Sequence, residues 1–171
     1  LSFDGLIQDI TERKQAEEAL KQTIERLNAL MGVARTITST LDLSALLNHL
    51  LHRLLDVIPA ADVGAIYLYD LETQMLVPGA CLGFDSEAFR QISLLPGESI
   101  SGKVFQTGHS VLARTHEESE ALRRDLRPEN MQLLSLVRRG LHIQSNICVP
   151  LRAPTGEVIG TFSMGSTHTA F

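Results

Sequence analysis

Between about Asp9 and Ser39 the apolar positions Leu20, Ile24, Leu27, Met31 and Ala34 recur in alternating steps of four and three, a heptad seam. This stretch holds no proline and one glycine, Gly32, and oppositely charged residues stand within helical reach of one another. Glu17 precedes Lys21, and Arg13 and Lys14 precede Glu17 and Glu18, so a long helix is predicted. Its seam either packs on its own domain or pairs with a second copy in a parallel coiled coil. Asp42 is the expected N-cap of a second helix, in which Leu43, Leu46, Leu47, Leu50, Leu51, Leu54, Leu55 and Ile58 form one broad apolar face. Pro59 ends it. His49 and His52 are three apart, but they fall on the polar side with Asn48 and Arg53, which reads as a solvated face rather than a metal pair.

Beyond Pro59 the period changes. "ADVGAIYLYD" is rich in β-formers and apolar on both faces, as expected of a strand covered on both sides. "LETQ" reads as a hairpin turn into "MLVPGACLG". A short helical stretch around Ser86 to Gln91 is followed by a turn at Pro96 and Gly97, a short helix over Ser99 to Gln106 and a stop at Gly108. "VLAR" is a brief strand. Residues 115 to 127, "THEESEALRRDLR", are so highly charged that they read as an exposed loop or loose helix. Pro128 suits the first turn of another helix running through Arg139, with Gly140 just beyond. "IQSNICVPL" and "VIGTFSMGS", joined by the turn "RAPTGEV", close the chain as a hairpin of buried strands. The order of elements predicts an α+β fold, a central antiparallel sheet with helices on both faces and a long N-terminal helix.

Composition narrows the function classes. A chain of 171 residues holds one ordinary domain plus an extension. The net charge of -5 disfavours a general nucleic-acid binder, which carries a basic stripe. The apolar runs are too short to span a bilayer, so membrane contact is not expected. Cys81 and Cys148 stand far apart with no CxxC, so neither a disulfide framework nor a zinc site is predicted; reduced, buried thiols in a cytoplasmic protein are the simpler expectation. No P-loop, phosphoacceptor-histidine box or ATP-binding glycine motif occurs, so any output enzyme must lie outside this chain.

Three stretches, "ARTITSTLDLSALLNHLLHRLLDVIPAADVGAIYLYD", "LLPGESISGKVFQTGHSVLA" and "SNICVPLRAPTGEVIGTFSMGS", together resemble a GAF domain of the kind found in bacterial signalling proteins. The resemblance covers residues 27–171 and implies the GAF fold without its usual C-terminal helix. The opening is similar to the last strand of a PAS domain and the linker after it, with Gly5, Asp9, Ile10 and Thr11 at the junction. It implies that residues 1–11 end an upstream PAS domain and that 12–26 form a helical signalling linker. The expected parent is then a longer multidomain protein, a sensor histidine kinase of a two-component system or, second, a diguanylate cyclase, regulated through a homodimeric N-terminal helix.

The resemblance also implies a small-molecule pocket between the sheet and the small middle helices. Its expected lining is Ala65, Tyr67, Cys81, Ile100, Ser101, Ser145 and Ser163. A core simply filled by these residues, giving a structural dimerisation module, is the alternative. Cyclic nucleotides are disfavoured: Ser166 stands where that subset has Asn, its Lys is absent, and Cys81 replaces a stacking aromatic. Bilin attachment is disfavoured because neither cysteine is followed by His, and haem because His109, His116 and His142 read as exposed loop residues. No cofactor is therefore assigned. The chain is expected not to be an enzyme. One GAF family reduces free methionine sulfoxide with several cysteines, chemistry that requires Cys81 and Cys148 to share a pocket.

Overall fold

The computed structural model describes residues 43–168. The expected heptad helix, the PAS-like junction and the Asp42 cap lie outside the described residues. The first described element, α1 (43–57), carries leucines at a spacing of four, and Leu47, Leu51 and Leu55 are buried. Pro59 accounts for its end, since the residue before a proline is pushed out of the helical region. The apolar face is narrower than its sequence predicts. Leu54 and Ile58 are half-buried, whereas Leu46 is 62% and Leu50 43% exposed. His49 and His52 are exposed.

Five antiparallel strands follow in the spatial order β2-β1-β5-β4-β3. β1 (Val63–Asp70) and β2 (Met75–Leu82) form a hairpin whose turn is closed by Asp70, which accepts from the Glu72 amide at 3.0 Å and the Thr73 hydroxyl at 2.8 Å. β2 is an edge strand, where Pro78 costs no ladder bond; a register shift there leaves Gly79 unpaired, opposite Ile66/Tyr67. β3 (Val111–Ala113) is the other edge. β4 (Ser145–Arg152) and β5 (Val158–Ser166) form the predicted closing hairpin. At Gly160 an added Cβ would come within 2.3 Å of the Tyr67 carbonyl, so only glycine lets β5 lie this close to β1.

The alternation of residues on these strands separates two layers. Ile66, Ala80, Phe162 and Met164 face α1 and pack with Leu47, Leu51 and Leu55. The opposite face, with Ala65, Tyr67 and Leu76, is covered by short helices. These are α2 (Ser86–Phe89), capped by Asp85; α3 (Ser99–Thr107), ended by Gly108 in the left-handed conformation; α4 (His116–Ala121); and α5 (Pro128–Arg138).

The charged segment 115–127 departs from expectation. Thr115 caps α4 by accepting from the Glu118 amide, and the Glu118 carboxylate accepts from the Arg114 amide, a variant of the capping box. Ser119 and Arg123 are buried rather than exposed. Arg123 alone among the charged side chains of this segment is buried, and Glu117, Glu118, Arg124 and Asp125 remain exposed as a reading of polarity expects.

Leu51 is fully buried between α1 and the sheet, so Leu51→Ala is expected to cost about 2–5 kcal/mol. Leu46→Ala, on the exposed side of the same helix, should change stability by no more than about 0.5 kcal/mol. Urea unfolding of the two variants measures the contrast.

Candidate functional site

Between the sheet and the helices of its second face lies a cavity of about 90 Å³. A single water needs on the order of 10–15 Å³, so the space has room for several waters or one small solute. Its floor is Ala65 and Tyr67 of β1, Ser163 of β5 and Asn146 of β4. Ser99, Ile100 and Ser101 at the start of α3 form one wall, and Phe89, Ile92 and Leu94 another. Leu126, Asn130, Leu134 and Val137 roof it, together with two arginines, Arg123 and Arg138. Tyr67 packs its ring against Phe89 with centroids 5.1 Å apart, and burial, more than the neighbouring Cys81 and Glu98, drives its phenol pKa far up, so it stays neutral.

The roof is positioned by Glu98, a buried carboxylate at the N-terminal end of α3. One oxygen accepts from the Arg127 amide at 2.9 Å and the Asn130 side chain at 3.0 Å. The other accepts from the Leu95 amide at 2.9 Å and the Arg127 Nε at 3.1 Å. Arg127 and Asn130 also both donate to the Ser93 carbonyl. Burial pushes the Glu98 pKa up, but these donors outweigh it and leave it below its ordinary value of 4.5. Gly102 permits the close seat of α3 on this turn, for a Cβ there would meet the Leu95 carbonyl at 2.4 Å. Ser99 enters the helix at φ +60°, an unfavourable angle for a non-glycine residue, with its amide bonded to Asp125 at 3.2 Å.

The two arginines share one acid. Glu120 Oε1 accepts from Arg138 Nη1 at 2.8 Å and from Arg123 Nη1 at 3.0 Å. Their side chains are 13% and 10% exposed, against 45% for Glu120. Burial, then the neighbouring Arg138 charge, lowers the Arg123 pKa to about 10. Arg138 Nη2 and Asn146 Oδ1 are buried without a hydrogen-bond partner.

Five of the residues expected to line a pocket, Ala65, Tyr67, Ile100, Ser101 and Ser163, border this cavity; Cys81 and Ser145 do not. Cys81 lies on the same sheet face but near its β2 edge, where it opens on a shallow groove with Asn48 and Arg90. Ser145 has the strand parity of Ile147 and Val149, which pack on the α1 side, so it lies on the wrong face. Cys148 is buried 4.0 Å from the Ser101 hydroxyl. The register runs Cys81, Ala65, Ser163, Cys148 across four adjacent strands, which separates the cysteines by about 14 Å. A disulfide needs Cα atoms within about 7 Å. Burial raises both thiols, Cys148 to about 12, so neither is an activated thiolate. His109 and His142 are exposed, and His116 is half-buried with Nδ1 2.9 Å from the Ile143 carbonyl. None of the three lines the cavity. Among the described residues no three His, Cys, Asp or Glu side chains are grouped to hold a metal.

Sequence reasoning missed Arg123, Arg138, Asn130 and Asn146. The available signal is the pattern "ESEALRR", in which Glu120 and Arg123 stand three apart, in reach of each other across one helical turn. Nothing local announces that Arg138, eighteen residues from Glu120, completes the group.

A five-stranded antiparallel sheet with helices on both faces and a roofed cavity on one defines an α+β domain. The chain belongs to the GAF family, whose domain model matches residues 40–171. The GAF domain of a phosphoenolpyruvate-protein phosphotransferase from Acinetobacter superposes with a TM-score of 0.57 at 20% identity, over 75% of this chain and 68% of that one. The type II free methionine-R-sulfoxide reductase of Thermoplasma acidophilum gives 0.56 at 18%, over 77% and 79%. A Staphylococcus aureus NreA protein mutated in its nitrate binding site gives 0.53 at 19%, over 73% and 91%. At these identities the likeness is one of fold. No curated protein matches the sequence.

Glu98→Gln places an amide N–H2 against donors and is expected to destabilise the domain by about 3 kcal/mol at neutral pH. Because the folded carboxyl titrates below its unfolded value, its contribution is complete above about pH 4.5 and drains as the pH falls through the folded pKa. Urea unfolding at pH 7 and near pH 3 should therefore show the gap between variant and parent closing in acid.

Proposed function

We propose that this domain is the regulatory, sensory module of a bacterial signal-transduction protein, binding a small molecule in the cavity between the sheet and α3–α5. The carrying observation is the cavity itself: the side chains expected to fill it leave space, edged by the hydroxyls of Ser99, Ser101 and Ser163 among apolar walls. A sensor histidine kinase is the favoured parent and a diguanylate cyclase the second, on the PAS-like stretch "DITERKQAEEAL" and the heptad positions that follow it. In this reading the protein is a cytoplasmic homodimer through Leu20, Ile24, Leu27, Met31 and Ala34. No described helix is long and apolar enough to cross a membrane.

The mechanism is a population shift. A ligand touching both the sheet floor and the Glu98-anchored roof favours one packing of those layers, and it moves the equilibrium only by its difference in affinity for the two packings. The domain itself performs no chemistry in this reading. A thiol redox activity would draw on the fold shared with the Thermoplasma reductase, but the separation and raised pKa values of Cys81 and Cys148 work against it.

Native mass spectrometry of the longer parent chain, purified from its own host, should detect a bound small molecule that is lost in Ser163→Leu, whose side chain fills the cavity from the floor. Retention of the same adduct in a folded Ser163→Leu protein would show that the ligand sits elsewhere. Replacing both Leu20 and Leu27 by Asp should abolish self-association in sedimentation, and dimerisation at the parental strength sinks the paired-helix proposal.

A further inference from the structure

We propose that the cavity is selective for a small organic anion, a monocarboxylate, held by Arg138 and Arg123 with its apolar body among Phe84, Ile92 and Leu134. This rests on the reading of the cavity as a ligand site. Three observations carry it. Two guanidiniums with side chains 10% and 13% exposed share a single carboxylate, Glu120, so the cluster retains one positive charge in a desolvated place. The other acids around the roof already have cations of their own, Glu98 with Arg127 at 3.1 Å and Asp125 with Lys103 at 2.9 Å. Arg138 Nη2, on a residue lining the cavity, has no partner.

A buried guanidinium with a free N–H is completed by an acceptor that also brings negative charge, and a carboxylate matches its planar geometry. The start of α3 borders the same space with the hydroxyls of Ser99 and Ser101, which can donate to a carboxylate there. The remaining walls are largely apolar and the volume is about 90 Å³, which favours a short aliphatic or compact body over a polyanion. Asn146 Oδ1, also unpartnered and on the floor, offers an acceptor to any hydroxyl on that body.

The test compares sodium propionate with sodium chloride at equal ionic strength and with neutral propionamide, reading thermal unfolding of the parent protein and of Arg138→Gln. Propionate should raise the parental midpoint saturably, chloride and propionamide should not, and Arg138→Gln should weaken the apparent affinity roughly tenfold or more. Arg138→Gln leaves Arg123 and Glu120 as a balanced pair, so its midpoint without ligand should equal or exceed the parental one. Equal responses to propionate in the two proteins, or equal responses of the parent to propionate and propionamide, overturn the proposal. A response to nitrate or phosphate as large as that to propionate also overturns it, since the apolar body then contributes nothing. If these anion tests fail while the host-derived adduct is still lost in Ser163→Leu, the cavity remains the ligand site and only its charge preference falls.

Discussion

The Glu98 carboxylate is the point on which the second face of this domain depends. It gathers donors from the turn before α3 and from the roof alike: the Leu95 amide, and the Arg127 and Asn130 groups at the start of α5. α3 and α5 have little reason to meet otherwise, since both are short, and α3 packs on β4 and β5 whereas α5 packs chiefly on α2. A carboxylate in that position must be ionised and fully bonded to be tolerated in the interior. Its four donors supply that, and in doing so they hold the roof at a height above the sheet that leaves a space instead of a packed seam.

The two sides of the sheet consequently differ in character. On the α1 side, Leu47, Leu51 and Leu55 interlock with Ile66, Ala80, Phe162 and Met164, a contact governed by area and shape. On the other side, apolar packing is interrupted by polar anchors: Glu98 with Arg127, Asp125 with Lys103, Glu120 with Arg123 and Arg138. Such anchors are directional, so they fix distances between elements without requiring side chains to fill what lies between them. A cavity is more readily left open this way than within an interlocked core. The residues that border it come from β1, β4, β5, α2, α3, α5 and the segment after α4, so the cavity touches most of the domain at once.

Much of the fold was legible along the chain because it rests on local signals. Strand β5 was bounded correctly from alternation and the flanking turn, and Gly108 and Pro128 marked a helix end and a helix start for reasons internal to each residue. Five of the expected lining residues border the cavity, a placement that follows from the family resemblance. Cys81 and Ser145 strayed for two different reasons. Cys81 sits too near the sheet edge for the roof to reach, and Ser145 faces the opposite layer because a strand assigns its faces by parity.

By itself, then, the sequence determined the order of elements, the two-sided burial of the central strands and the reversal points between them, all of which depend on residues within a few positions of one another. Only the tertiary structure decided the fate of the charges. "THEESEALRRDLR" looks like a solvated segment, yet it brings Arg123 and Leu126 to the cavity, with Arg138, on a different helix, beside Glu120 and Asp125 on the amide of Ser99. The energy of burying an ion depends on partners distant in sequence, and polarity read along a chain carries no record of who those partners are.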